Sequence, residues 1–111
     1  MIEKIVIQYL SDRLEVPVCA ERPENPEDSY VIVEKTGGGK RNGICTAMIA
    51  VQSHAKSMLG AAELNELVKD TMENIITLSD VSKCSLNSDY NFTDTQTKEY
   101  RYQAVFDLVH Y

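Results

Sequence analysis

The sequence predicts an α+β domain, a mainly antiparallel sheet of four to five strands with two helices packed on one face. Three observations support this: two stretches with apolar residues at helical spacing, several stretches rich in β-branched residues, and turn-forming segments between them. The chain of 111 residues fits a single domain over 1–111. The predicted order of elements is α-β-β-β-α-β-β.

The first helix is predicted over residues 2–14, where apolar side chains recur every three or four positions. Pro17 ends it, because the residue before a proline avoids helical geometry. A short strand over 16–20 follows. The next segment, residues 21–28, has two prolines and four acidic residues, which predicts a solvated loop. We call it the proline loop.

The central strands are predicted on either side of a glycine-rich segment. Residues 30–35 are rich in β-branched side chains and indicate a strand. Residues 37–43 include four glycines, which predicts a flexible hairpin loop. A long strand over 44–55 follows. Both of its alternating sets of side chains are largely apolar at the start, so we expect both faces to be covered there and the polar end to reach solvent.

A second helix is predicted over residues 57–76, with Ser57 as its N-cap. Its expected buried stripe consists of Leu64, Leu67, Val68, Thr71, Met72, Ile75 and Ile76. Alternation then predicts a half-buried strand over 83–90, a polar turn at 93–98 and a last strand over 100–109.

Charge and composition argue against several classes of protein. The net charge of −6 repels phosphate, so tight binding to nucleic acid or to anionic lipid is not expected. No apolar stretch reaches the length of a membrane span and no secretion signal is visible, which predicts a cytoplasmic protein. Cys19, Cys45 and Cys84 are widely separated, and we expect them to be small buried residues in strands.

No residue pattern predicts a catalytic, cofactor or metal site. The two histidines, His54 and His110, each stand alone near a strand end, where a surface or satisfied histidine is the common outcome. The acids of the second helix lie on its polar face. The chain is therefore predicted not to be an enzyme. A small-molecule-binding or enzymatic α+β domain stays open as the alternative from a different class.

Charge is unevenly distributed along the chain. Lys35, Lys40 and Arg41 surround the glycines, while the proline loop holds only one basic residue among its four acids. Such patches suit head-to-tail contact between identical subunits. The alternative is that the two loops lie close together and neutralise each other within one monomer.

Two motifs resemble a known family. One is the segment 33–39, Val-Glu-Lys-Thr-Gly-Gly-Gly, with the strand that ends in Val-Gln-Ser-His-Ala at 51–55. The other is Tyr-Asn-Phe at 90–92 with Arg-Tyr-Gln at 101–103. Together they resemble the tail-terminator (tail-completion, head–tail joining) proteins of siphophages and prophages. Members often have proline where this chain has Thr93, and an aromatic residue near His54.

The resemblance implies a structural virion protein with no cofactor. It implies a homo-hexameric ring that caps the tail tube, stops its polymerisation and joins it to the head connector. The implied partners are other copies of the chain, the major tail-tube protein and the head connector or neck protein. DNA would pass through the lumen without specific binding, and no membrane is involved. The implied location is the bacterial host cytoplasm and then the tail–head junction of the virion. The alternative within this class is another neck or minor tail protein.

Three regions are the predicted subunit interfaces: the glycine-rich segment, the proline loop and the last hairpin. The candidate residues are Gly37, Gly38, Gly39, Lys40, Arg41, Glu24, Glu27, Asp28, Tyr90, Phe92, Arg101 and Tyr102.

Overall fold

Two helices and a five-stranded sheet make up the fold in the computed structural model, which describes all residues from 1 to 111. The elements are α1 (Ile2–Arg13), β1 (Val18–Cys19), β2 (Tyr30–Arg41), β3 (Ile44–Ala55), α2 (Met58–Glu73), β4 (Val81–Asn91) and β5 (Tyr100–His110). A 3-10 turn, Ile75–Thr77, lies between α2 and β4. The predicted α+β class and the predicted order of elements are confirmed.

The strands lie in the order β1-β2-β3-β5-β4. All neighbouring pairs are antiparallel except β1 and β2, which are parallel. β1 is only two residues long and pairs with Val31 and Ile32 at the start of β2. The rest of β2 therefore forms one edge of the sheet, and β4 forms the other.

Both helices pack on the same face of the sheet. Alternate residues of the strands, such as Val51 in β3 and Phe106 in β5, join Leu10 of α1 and Met72 of α2 in one buried core. Burial of a side chain of this size stabilises the fold by roughly 1.5–3 kcal/mol. We call the opposite face of the sheet, which no helix covers, the open face.

The helix ends differ slightly from the sequence prediction. α1 ends at Arg13, because Leu14 already has extended geometry. Ser57 caps α2 as predicted, since its Oγ accepts a hydrogen bond of 3.0 Å from the Gly60 N–H. α2 ends at Glu73 rather than at 76, and Asn74 separates it from the 3-10 turn. Neither helix combines the length and the apolar character that crossing a bilayer requires.

The prediction of the buried stripe of α2 was partly wrong. Leu67 and Ile76 are 50% and 53% exposed, whereas Asn65 is buried. The Asn65 Nδ2 donates a 2.6 Å hydrogen bond to Asp89 Oδ1 on β4, and Lys69 Nζ lies 2.6 Å from the other oxygen of this carboxylate. A polar partner on the sheet thus turns a polar position of the helix inward, which the apolar pattern could not show.

The burial of β3 differs from the prediction at both ends. At the apolar start only the helix-covered face is covered, at Ala47, while Ile44 is 47% and Met48 38% exposed; near the polar end, Ser53 and His54 are buried. Ser53 belongs to the helix-covered face, and the ring of His54 stacks on Tyr30 on the open face. Neighbouring side chains, rather than the composition of the strand, decide which end is covered.

Candidate functional site

The glycine-rich segment is a paired ribbon rather than the flexible loop that was predicted. β2 continues through it, with Gly37 opposite Met48 and Gly39 opposite Thr46. The register shifts by one residue at Thr36, which makes a β-bulge. We call residues 35–43 the glycine hairpin.

Only two residues, Asn42 and Gly43, form the turn of this hairpin. Their φ angles are 53° and 80°, as a two-residue turn between antiparallel strands requires. Asn-Gly is a strong sequence signal for such a turn. That signal could have located the turn, but the run of glycines before it suggested a longer loop.

The cations of the glycine hairpin have no ionic partners. Lys35, Lys40 and Arg41 are exposed, and none forms a salt bridge. Because no carboxylate pairs with these cations, this end of the sheet presents a basic surface.

The proline loop lies at the opposite end of β2, directly before Tyr30. Asp28 forms an exposed salt bridge of 3.1 Å with Lys56, and Arg22 ties the loop to Glu99 at a distance of 2.5 Å. Glu24 and Glu27 are exposed and form no salt bridge. This end of the molecule therefore has acidic groups available to a partner.

The two charged ends are too far apart to neutralise each other. β2 has 12 residues, which at the usual rise of about 3.3 Å per residue separates its ends by roughly 35 Å. The longest dimension of the molecule is 45 Å. The Debye length at physiological ionic strength is only about 8 Å. The alternative in which the loops of one monomer compensate each other is thus excluded for Lys40 and Arg41, the two cations at the far end of β2.

The last hairpin contributes an aromatic cluster to the open face at the acidic end. The Arg101 guanidinium lies 4.5 Å from the Phe92 ring centroid, and the Tyr90 ring meets Phe92 edge-on at 6.0 Å. These three predicted residues come together. Tyr102, the fourth, lies opposite Ser53 and belongs to the helix-covered face, because neighbouring residues of a strand alternate between faces.

Sequence reasoning missed a polar network beside this cluster. Gln52 Nε2 donates a 3.0 Å hydrogen bond to Gln103 Oε1, and Gln103 Nε2 donates to the Tyr90 hydroxyl. His54 Nε2 lies 3.2 Å from Gln52 Oε1. Only alignment of β3 with β5 brings the two glutamines face to face, so no local signal could have revealed the network.

Burial shifts the pKa values of His54 and Cys84, two groups that could take part in catalysis. Burial, aided by the nearby Arg101 cation, lowers the pKa of His54 to about 4. Burial also raises the pKa of the Cys84 thiol to about 11. At neutral pH both groups are therefore uncharged. The three cysteines lie in strands as predicted, but they are only half-buried free thiols.

No group of three histidine, cysteine or acidic side chains converges as the ligands of a metal ion would. The structure brings together two kinds of surface instead: an acidic end with an aromatic and polar cluster, and a basic end with an open sheet edge. No protein-family model and no curated protein matches the chain.

Proposed function

We propose that this chain is the subunit of a head-to-tail ring, and that the ring is the tail terminator of a long-tailed phage. The separation of the two charged ends of β2 carries the assembly part of the proposal. A basic surface and an acidic surface that cannot meet within one copy can meet between copies. A contact between two different surfaces repeats from subunit to subunit and closes into a ring when the rotation allows it.

The phage role is supported by the resemblance of the two motifs. The segment 33–39 and the end of β3 lie on adjacent antiparallel strands, and the Tyr-Asn-Phe segment pairs with the start of β5. In this role the ring would cap the tail tube and offer its other side to the head connector. It would work in the bacterial cytoplasm and then remain at the tail–head junction. A net charge of −6 suits a lumen through which DNA slides.

The assembly part is tested by size-exclusion chromatography with light scattering over a range of protein concentrations. We expect a discrete oligomer, favoured at low salt because the contact is between opposite charges. A chain that stays monomeric at high concentration, alone and with the tail-tube protein, would contradict the proposal.

The phage role needs a separate measurement. Tail-tube protein that polymerises in vitro should yield shorter tubes when the chain is added, and electron microscopy should show density at one tube end. The matched control is the Lys40→Glu/Arg41→Glu variant, which should not shorten tubes if the ring is needed for capping. Unchanged tube lengths with the wild-type chain would contradict the terminator role but not the proposal of a ring.

A further inference from the structure

An edge of the sheet without a neighbour runs along the basic end of the molecule. β1 covers only Val31 and Ile32, and no other strand lies beside β2. Apart from the pairing with β3, no backbone group of the chain bonds to the backbone of residues 34–41. The N–H and C=O groups that point away from β3 along this stretch are therefore free to bond another chain.

Two glycines on this edge are not required by the fold of the monomer. Neither Gly37 nor Gly39 has a positive φ. A Cβ at 37 would meet no atom within 4 Å, and one at 39 would meet only Thr46 Oγ1 at 3.5 Å. Glycine inside a strand lowers stability, and it often marks a place where another backbone approaches closely. The bare backbone thus fits contact with a second chain.

The charges on the edge restrict what that second chain can present. Pairing of two β2 edges would bring the cations of one glycine hairpin close to those of the other, which like-charge repulsion disfavours. β4, the other sheet edge, has two register irregularities, as is typical of edges protected against pairing. The proline loop has the opposite charge and three acids without salt bridges, Glu21, Glu24 and Glu27, of which the last two are the predicted interface residues.

We infer that the free edge of β2, from Glu34 to Arg41, is the docking surface for the proline loop of a second copy of this chain. Lys40 and Arg41 contact the carboxylates of Glu24 and Glu27, and the glycine backbone lies against the loop. Glu27 of the same copy lies beside Tyr30 and His54, at the end of β2 opposite to Lys40 and Arg41, so it cannot contact these two cations. The inference rests on the self-association in the proposed function, but not on the phage role.

A charge exchange tests the inference. One variant carries Lys40→Glu/Arg41→Glu and the other Glu24→Lys/Glu27→Lys, and all four positions are exposed. Each variant alone places like charges on both sides of every contact, so its dissociation constant should rise about tenfold or more. In an equimolar mixture, every contact between unlike variants joins opposite charges again, and assembly should return. Light scattering after size exclusion at low salt measures all four samples, including the wild type.

The outcomes separate the docking surface from the ring. The proposed docking surface is contradicted if the wild type and both variants assemble equally well. It is also contradicted if the wild type assembles but the mixture stays dissociated. In both cases the proposal of a ring is unaffected. If the wild type never assembles, the ring fails, and the docking surface with it. Circular dichroism checks that each variant is folded. Should a reversed variant unfold, Lys40→Gln/Arg41→Gln and Glu24→Gln/Glu27→Gln replace the pair, and the wild type must then associate more tightly than either.

Discussion

The two ends of β2 differ in how far the chain satisfies its own polar and apolar groups. At the acidic end, His54 is 5% exposed and stacks on Tyr30 with ring centroids 4.5 Å apart, and Gln103 bonds to both Gln52 and Tyr90. At the basic end, the edge from Glu34 to Arg41 lacks a strand neighbour, and its cations lack ionic partners.

This difference predicts which residues stabilise the fold and which are available for the proposed assembly. Side chains that are buried and bonded within one copy contribute to the folding free energy, so changing them destabilises the monomer. Exposed charges and bare backbone contribute little to folding, and changes there act on whatever contacts them. Substitutions of the buried side chains at the acidic end should therefore lower stability, while those of exposed charges at either end should mainly change association.

The largest loss of stability is expected from Tyr30→Ala. The side chain is 6% exposed and its removal uncovers the ring of His54, so the free energy of unfolding should fall by about 3 kcal/mol. Urea denaturation followed by circular dichroism measures this change. The matched control is Tyr111→Ala, because Tyr111 is 73% exposed and its loss should change stability by less than about 0.5 kcal/mol. Equal effects at both positions would contradict the comparison.

The second-largest loss of stability is expected in the polar network. Gln103→Ala removes the amide that joins Gln52 to Tyr90, and the partners left without it should lower stability by about 2 kcal/mol. The control is Gln96→Ala in the exposed turn before β5, where the side chain makes no hydrogen bond. A Gln103→Ala protein as stable as the control would mean that water replaces the network at no cost.

Acid should weaken the same end through His54. Its folded-state pKa of about 4 lies below the ordinary value of 6.5. Between these values the unfolded chain binds more protons, so stability falls as the pH drops from about 6.5 through 4. The loss at pH 5 should be on the order of 1–2 kcal/mol. The His54→Gln variant should lack this part of the pH dependence, whereas His110→Gln should retain it. Parallel profiles for His54→Gln and wild type would show that His54 does not titrate as its burial implies.

The sequence was informative about elements whose pattern is local. The apolar periodicity of α1, the Ser57 cap of α2 and the last strand each depend on residues a few positions apart. The structure confirms the helix, the cap and the strand, although Gln103 and Val105 on the predicted more polar side of β5 are buried as well. Fold class followed from the order of such elements.

Features that depend on strand alignment could not be predicted in the same way. The burial of Ser53 and His54 and the pairing of Gln52 with Gln103 arise from contacts across the sheet. The run of three glycines predicted a longer loop, whereas the structure turns only at Asn42 and Gly43. The structure places the predicted interface residues at both ends of the sheet, and in the last hairpin Tyr102 belongs to the helix-covered face.

The smallest effect on folding is expected from a substitution at Gly37, whereas one at the neighbouring Gly38 should lower stability. A Cβ at 38 would lie 2.8 Å from the Thr46 carbonyl oxygen, whereas one at 37 meets nothing within 4 Å. Gly38→Ala should therefore destabilise the monomer by about 1 kcal/mol, and Gly37→Ala should change stability by less than about 0.5 kcal/mol. Thermal or urea unfolding of the two variants at low protein concentration measures both.

A second substitution at Gly37 distinguishes an effect on association from an effect on folding. Gly37→Thr adds a β-branched side chain that favours a strand, so the monomer should stay as stable as wild type. If a second copy lies against the bare edge of β2, the added side chain keeps the two backbones apart and association weakens. A Gly37→Thr chain that folds and assembles like wild type would leave the glycine without a role at the contact, and the basic end would then act through Lys40 and Arg41 alone.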